Sequence, residues 1–200
     1  AADGAEEGLG LRAERQSGGR GRQGRDWASP PGNLYTSTLV RLRPSDPSAA
    51  TLALVAAVAL DETMRVWLPA DTELTIKWPN DLYWQDRKAG GILIENVISA
   101  GKPETDRWQW AIIGTGININ QTSFSPDLKN QVSLRQITGK IFDPIALAKE
   151  LCSVLDKKFK QLIAGGFEKI VLDYLSVLYK KYEVVKLRKG NRVFEATIID

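Results

Sequence analysis

The stretch ELTIKWPNDLYWQDRKAGGILIENV, residues 73–97, decides the fold. It holds two strand-like runs, Glu73–Trp78 and Gly90–Val97, and a third, Trp108–Gly114, follows. Thr, Ile, Val and Trp suit a pleated, half-buried surface. The intervening turns, Pro79-Asn80-Asp81, Gln85–Lys88 and Ser99–Asp106, are too short for a parallel crossover, which takes roughly a dozen residues. The runs should therefore pair antiparallel.

Working outward, Leu9–Arg15 and Leu34–Leu42 read as further strands, separated by the glycine- and proline-rich segment Gln16–Asn33. Ser45 or Asp46 can cap a helix with Pro47 in its first turn, running to Trp67 and closed by Pro69. That helix is rich in Ala and Leu nearly all round, so it should lie buried on the sheet. Two more helices are expected at about Pro144–Ala164 and Gly166–Lys181. In the first, Ile145, Leu147, Ala148, Leu151, Val154, Leu155 and Phe159 keep helical spacing. Tyr182–Asp200 reads as two strands around a Lys189-Gly190-Asn191 turn. A lone hairpin is marginal in water, so this is expected to begin a small β-domain. The fold class is α+β: a mixed, largely antiparallel sheet flanked by helices over residues 1–181, then residues 182–200.

Composition narrows the chemistry. With 43% hydrophobic and 26% charged residues, the chain can bury a core without disulfides or a structural metal. There is no histidine, which removes His-based triads and most zinc sites. The single cysteine, Cys152, cannot bridge internally and suits a reducing cytoplasm. The longest apolar run, Leu52–Leu60, is too short to span a bilayer, and no secretory signal opens the chain. Net charge is only +3, yet Arg12, Arg15, Arg20, Arg22 and Arg25 crowd into residues 12–25. A local cationic cluster on a mildly basic chain points to an anionic ligand at one place.

The centre of that cluster, Gly18-Gly19-Arg20-Gly21-Arg22-Gln23-Gly24-Arg25, alternates cations with residues lacking a β-carbon. Glycine lets backbone amides approach a ligand, and arginine adds forked donors for phosphate or carboxylate. The segment fits neither the GxxxxGK[ST] loop nor the strand-to-helix dinucleotide fingerprint. Alone it reads equally well as a flexible arginine–glycine tract that binds RNA.

Three companions favour the first reading: Lys77-Trp78-Pro79-Asn80-Asp81, Lys88-Ala89-Gly90-Gly91-Ile92-Leu93-Ile94-Glu95, and Gly114-Thr115-Gly116-Ile117-Asn118. Together, and in this order, they resemble the biotin–protein ligase family, with its GRGRxGRxW, KWPND, K-x-(A/G)-G-I-L-x-E and G-x-G-I-N signatures. The resemblance runs from about Arg15 to Asn120, more weakly to Lys181. It implies a biotin/lipoate ligase-like catalytic domain over 1–181 and the start of an SH3-like β-barrel domain over 182–200. It also implies biotin as substrate, ATP and Mg²⁺ as co-reactants, a biotinyl-5′-AMP intermediate, and a carrier-protein lysine as acceptor. A homodimer is compatible with it; DNA binding is not supported by these residues. The nearest rival is a lipoate-type acyl-adenylating ligase.

Residue by residue, the resemblance implies that Lys88 is the essential cation between the biotin carboxylate and the α-phosphate, with Arg22 assisting. Gln16, Gly19, Arg20, Gly21, Arg22, Lys88 and Gly91 are expected to hold biotin. Arg20, Arg22, Trp27, Asn80, Lys88 and Asn118 are expected to hold ATP or the adenylate. Asp81 is a candidate partner for Mg²⁺ or a polar biotin group. Several of these have structural alternatives: Trp27 as a loop anchor, Asn118 as a turn former, and Ala89, Gly90 and Gly91 as a β-bulge. Lys77 and Trp78 either touch ligand or pack. Gln23 stands where some members carry arginine. The family's upstream D-S-T-N-like segment has no counterpart, and the small β-domain is expected to be incomplete.

Overall fold

The computed structural model describes residues 6–42, 49–98, 109–128 and 130–199. Four strands come from the region read first: β3 (Leu74–Lys77), β4 (Asp81–Trp84), β5 (Arg87–Ile98) and β6 (Gln109–Ile117). They join β1 (Gly10–Ala13) and β2 (Leu34–Leu42) in a six-stranded sheet of order β1-β2-β6-β5-β4-β3. Every ladder in it is antiparallel. Among the described residues, parallel pairing appears only as isolated bridges, such as Ile76 with Leu178 and Lys88 with Gln131. The four residues after the Pro-Asn turn, expected as part of a connection, form β4, so Lys88 lies in a strand rather than a turn. The expected cap residues Ser45, Asp46 and Pro47 and the turn Ser99–Asp106 lie outside the described residues.

Helices cover one face. The first, α1 (Ala49–Trp67), packs against the sheet and against α3 (Pro144–Ile163) and α4 (Phe167–Ser176). Its Leu52, Val55, Ala56, Ala59, Leu60 and Met64 are at most 2% exposed. The sheet answers with Leu34, Ile92, Ile113 and Ile117. Each large aliphatic side chain buried there contributes about 2 kcal/mol. Lys158 of α3 is also buried, and its ammonium lies between Glu62 of α1 and Asp173 of α4, tying three helices together. A short helix not anticipated from sequence, α2 (Leu134–Thr138), starts with a reciprocal capping box between Ser133 and Gln136.

The chain ends in the hairpin β7 (Val184–Lys189) and β8 (Arg192–Thr197), turning at Gly190 with φ +59°. Val185 opposes Ala196 and Leu187 opposes Phe194, so these four share one face of the ribbon. Among the described residues, no helix is long and apolar enough to cross a membrane.

Candidate functional site

The face of the sheet opposite α1 carries a cleft of about 450 Å³. Its character depends on one irregularity. Leu82 pairs with Gly90, but Tyr83 pairs with Lys88, which leaves Ala89 as an extra residue in β5. Strand side chains alternate, so a regular β5 would put Lys88 on the core side with Ile92 and Ile94. The bulge resets the alternation. Lys88 therefore stands on the open face beside Gly91, Leu93 and Glu95, all of which line the cleft. The competing bulge account of this segment and the functional one thus describe the same feature.

The floor beside Lys88 is nearly bare of side chains. Gly91 pairs with Gly116, which pairs with Tyr35; one step along, Leu93 pairs with Gly114, which pairs with Ser37. A β-carbon on Gly116 would sit 2.8 Å from the Trp27 indole. A β-carbon on Gly91 would lie 3.1 Å from an Asp81 carboxylate oxygen and 3.3 Å from Lys88 Nζ. Asp81 opposes Gly91 across the β4–β5 ladder, and its Oδ1 meets Lys88 Nζ at 2.7 Å. The Lys88 side chain is 17% exposed, and its ammonium is 5.2 Å from the Trp27 ring centre. A compact cation is thus fixed at the rim of an apolar floor.

The glycine–arginine segment forms one wall. It is folded by Gly21 N–H to Arg25 O (2.6 Å), Trp27 N–H to Gly19 O (2.9 Å) and a single 3-10 turn at Arg22–Gly24. Arg22 Nη1 donates to Asn80 Oδ1 at 3.2 Å, and Arg20 reaches Glu95 across 3.6 Å. These two exposed contacts hold the segment to opposite sides of the cleft. Asn80 is itself fixed, since its Nδ2 donates to Ile92 O. Gln16 faces the cleft, and its Oε1 accepts from Ser29 Oγ at 2.8 Å.

Two expected contacts are not brought to the cleft. Gly19 is buried behind the wall: a β-carbon there would strike Trp27 O at 2.3 Å and Ser29 Oγ at 2.6 Å. Its lack of a side chain serves the loop's own packing. Asn118 is 3% exposed and donates to Lys88 O (3.4 Å), Gln131 Oε1 (3.2 Å) and Val132 O (3.2 Å). In this structure its amide hydrogens are committed to these acceptors beneath the floor. Lys77 and Trp78 also lie elsewhere. Lys77 Nζ sits 4.8 Å from the Tyr83 ring centre, and Trp78 is 72% exposed, both beside a separate cavity near the hairpin.

The cleft also includes Tyr35, Ser37, Tyr83, Glu95, Asn130 and Gln131, which were not singled out from sequence. Tyr35 and Ser37 alternate along β2, a usable signal once the open face is known. Tyr35 donates to Pro30 O at 2.9 Å, and burial pushes its hydroxyl up from 10.0, so it stays protonated. Asn130 and Gln131 come from a polar segment with no periodicity to mark it. Among the described residues, no three His, Cys, Asp or Glu side chains gather as for a protein-caged metal. Trp27 Nε1 is buried and has no hydrogen-bond partner among the described residues.

Known proteins are similar to this chain in sequence and fold. Residues 5–118 match the model of the biotin/lipoate A/B protein ligase family. A bifunctional ligase/repressor BirA of Bacillus spizizenii is 36% identical over 173 residues, 84% of this chain and 51% of the relative. A biotin–[acetyl-CoA-carboxylase] ligase of Paracoccus denitrificans is 31% identical over 182 residues, covering 89% and 74% respectively. The biotin protein ligase of Aquifex aeolicus, solved in complex with biotin and ATP, superposes with a TM-score of 0.80 at 29% identity, covering 98% of this chain and 79% of that one. The chain spans about half the length of the Bacillus relatives it matches. From the cleft, the fold and these likenesses together, the chain belongs to the biotin/lipoate A/B protein ligase family.

Proposed function

We propose that this chain ligates biotin to a lysine of a biotin carboxyl carrier protein through biotinyl-5′-AMP. The observation that carries the reading is Lys88, turned by a bulge onto a glycine floor. Biotin's compact, cis-fused bicyclic head has an apolar thioether ring, which suits Gly91, Gly114, Gly116 and the Trp27 indole. Its carboxylate would then reach the rim where Lys88 stands. A carboxylate oxygen attacks the α-phosphorus of ATP and pyrophosphate leaves; the carrier amine next attacks the acyl carbon, and AMP leaves. Both steps concentrate negative charge, which a preorganised ammonium stabilises.

Other residues take supporting parts. Asp81 holds the Lys88 ammonium in place. Arg20 and Arg22, together with the Gly21 backbone, close over the adenylate by exchanging Glu95 and Asn80 for phosphate oxygens. Gln16 offers an amide to the ureido group. Mg²⁺ would arrive with the triphosphate and neutralise its charge, since one carboxylate beside Lys88 suits a cation held mostly by phosphates and water. Asn118 acts from below, as a brace for the Lys88 backbone. Residues 182–200 belong to a separate small β-domain, because the row Val185, Leu187, Phe194 and Ala196 is apolar and no catalytic strand pairs with it.

ATP–pyrophosphate exchange tests the reading. Exchange dependent on biotin, and absent with lipoate, is expected. Exchange with lipoate alone would replace biotin by the rival acyl substrate.

A further inference from the structure

The end of β5 that bears Lys88 is completed by a segment from far along the chain. Strand β6 stops pairing at Ile117, opposite Gly90. Beyond it, residues 130–132 take its place: Lys88 N–H donates to Asn130 O at 2.6 Å, and Val132 N–H donates to Lys88 O at 2.9 Å. This segment carries Asn130 and Gln131, which form the cleft wall next to Lys88. Two backbone bonds, and one from the Asn118 side chain to Val132 O, hold the buried end of this segment, while most of residues 122–128 before it are exposed.

Arg87 holds the exposed end of the segment at Gln131. Its Nε and Nη2 both donate to Gln131 O, at 3.2 and 2.7 Å, and Asn118 grips the Gln131 side chain from the other side. Arg87 does not line the cleft. Its side chain acts on the opposite side of the β5 start from Lys88, and the Gln131 carbonyl is the point it controls. The floor glycines lie along β5 in one direction from Lys88, and the Arg87-anchored wall lies in the other. On the reading above, biotin occupies the first side and the nucleotide the second.

We infer that Arg87 is a positioning residue for the nucleotide: by clamping Gln131 it sets the wall against which ATP binds, without touching substrate. This inference rests on the proposed function. The test is Arg87→Met and Arg87→Lys in the full chain, measured in two ways. In the ligand-free protein, amide hydrogen exchange at Val132 should quicken about tenfold in Arg87→Met, as expected for loss of a charged, two-pronged bond. In biotin-dependent ATP–pyrophosphate exchange, KM for ATP should rise about tenfold while KM for biotin stays within about twofold. Arg87→Lys, keeping one donor, should recover part of both effects. Unchanged amide exchange in Arg87→Met would overturn the clamp. Faster amide exchange with equal rises in both KM values would overturn its selectivity for ATP. Absence of biotin-dependent exchange in the wild type would instead overturn the proposed function, and the amide result would still judge the clamp.

Discussion

Lys88 and the arginine wall are both cationic, and both flank the same floor, yet they are built in opposite ways. Lys88 is on a central strand, 17% exposed and paired at 2.7 Å with a carboxylate. Arg20 is 72% exposed at the side chain and meets Glu95 at 3.6 Å, while Arg22 rests on a single exposed bond to Asn80. Exposed contacts of this kind are worth little, roughly 0–1 kcal/mol. On the proposed function, the difference separates two tasks. A charge that must meet a transition state is fixed in advance; charges that must admit a ligand and then cover it are held loosely.

That contrast can be broken at its strong end first. Lys88→Ala should lower adenylate formation by about a thousandfold or more, the scale of a lost preorganised charge, with the fold intact by circular dichroism. Turnover near wild type would show that the fixed cation is not the chemical centre. Gly91→Val is the next largest: branched carbons would enter the space of Lys88 and Asp81, and kcat should drop on the order of a hundredfold, because a misplacement of about 1 Å costs that much. A kcat within about twofold of wild type would mean the pair tolerates displacement.

At the loose end, Arg22→Gly should speed escape of biotinyl-AMP about tenfold, the loss of one charged hydrogen bond, and so increase labelling of unrelated lysines. Unchanged labelling would show that the wall does not close. The smallest effect lies away from the cleft. Tyr174 has a buried hydroxyl with no partner among the described residues, and burial pushes its pKa to about 12. Tyr174→Phe should leave activity unchanged and raise stability by about 1 kcal/mol, some 2–4 °C in Tm; a lower Tm would mean that the hydroxyl is satisfied.

The same contrast explains what the sequence could disclose. Antiparallel order followed from short links, and α3 from its apolar spacing, since both are local properties. The capping box at Ser133 and Gln136 was a readable start for α2, but five helical residues show no period. The small residues Ala89, Gly90 and Gly91 suggested a bulge, but its exact position exists only relative to β4, so which face Lys88 takes could not be read from sequence. Gly19 and Gly21 look alike in the motif, yet one packs behind the wall and the other lines the cleft. Asn118 shared the motif's promise, but its buried surroundings supply three acceptors that no sequence pattern names.

The central claim is that a bare glycine floor takes biotin while Lys88 does the chemistry. Calorimetric titration of biotin into Gly116→Ala tests it most directly, because the added methyl would stand 2.8 Å from the Trp27 indole and force it to shift. The account predicts one biotin per wild-type chain and binding weaker by about tenfold to a hundredfold in the variant, the usual penalty of overpacking. Equal affinity in the two proteins would contradict it and move biotin off this floor.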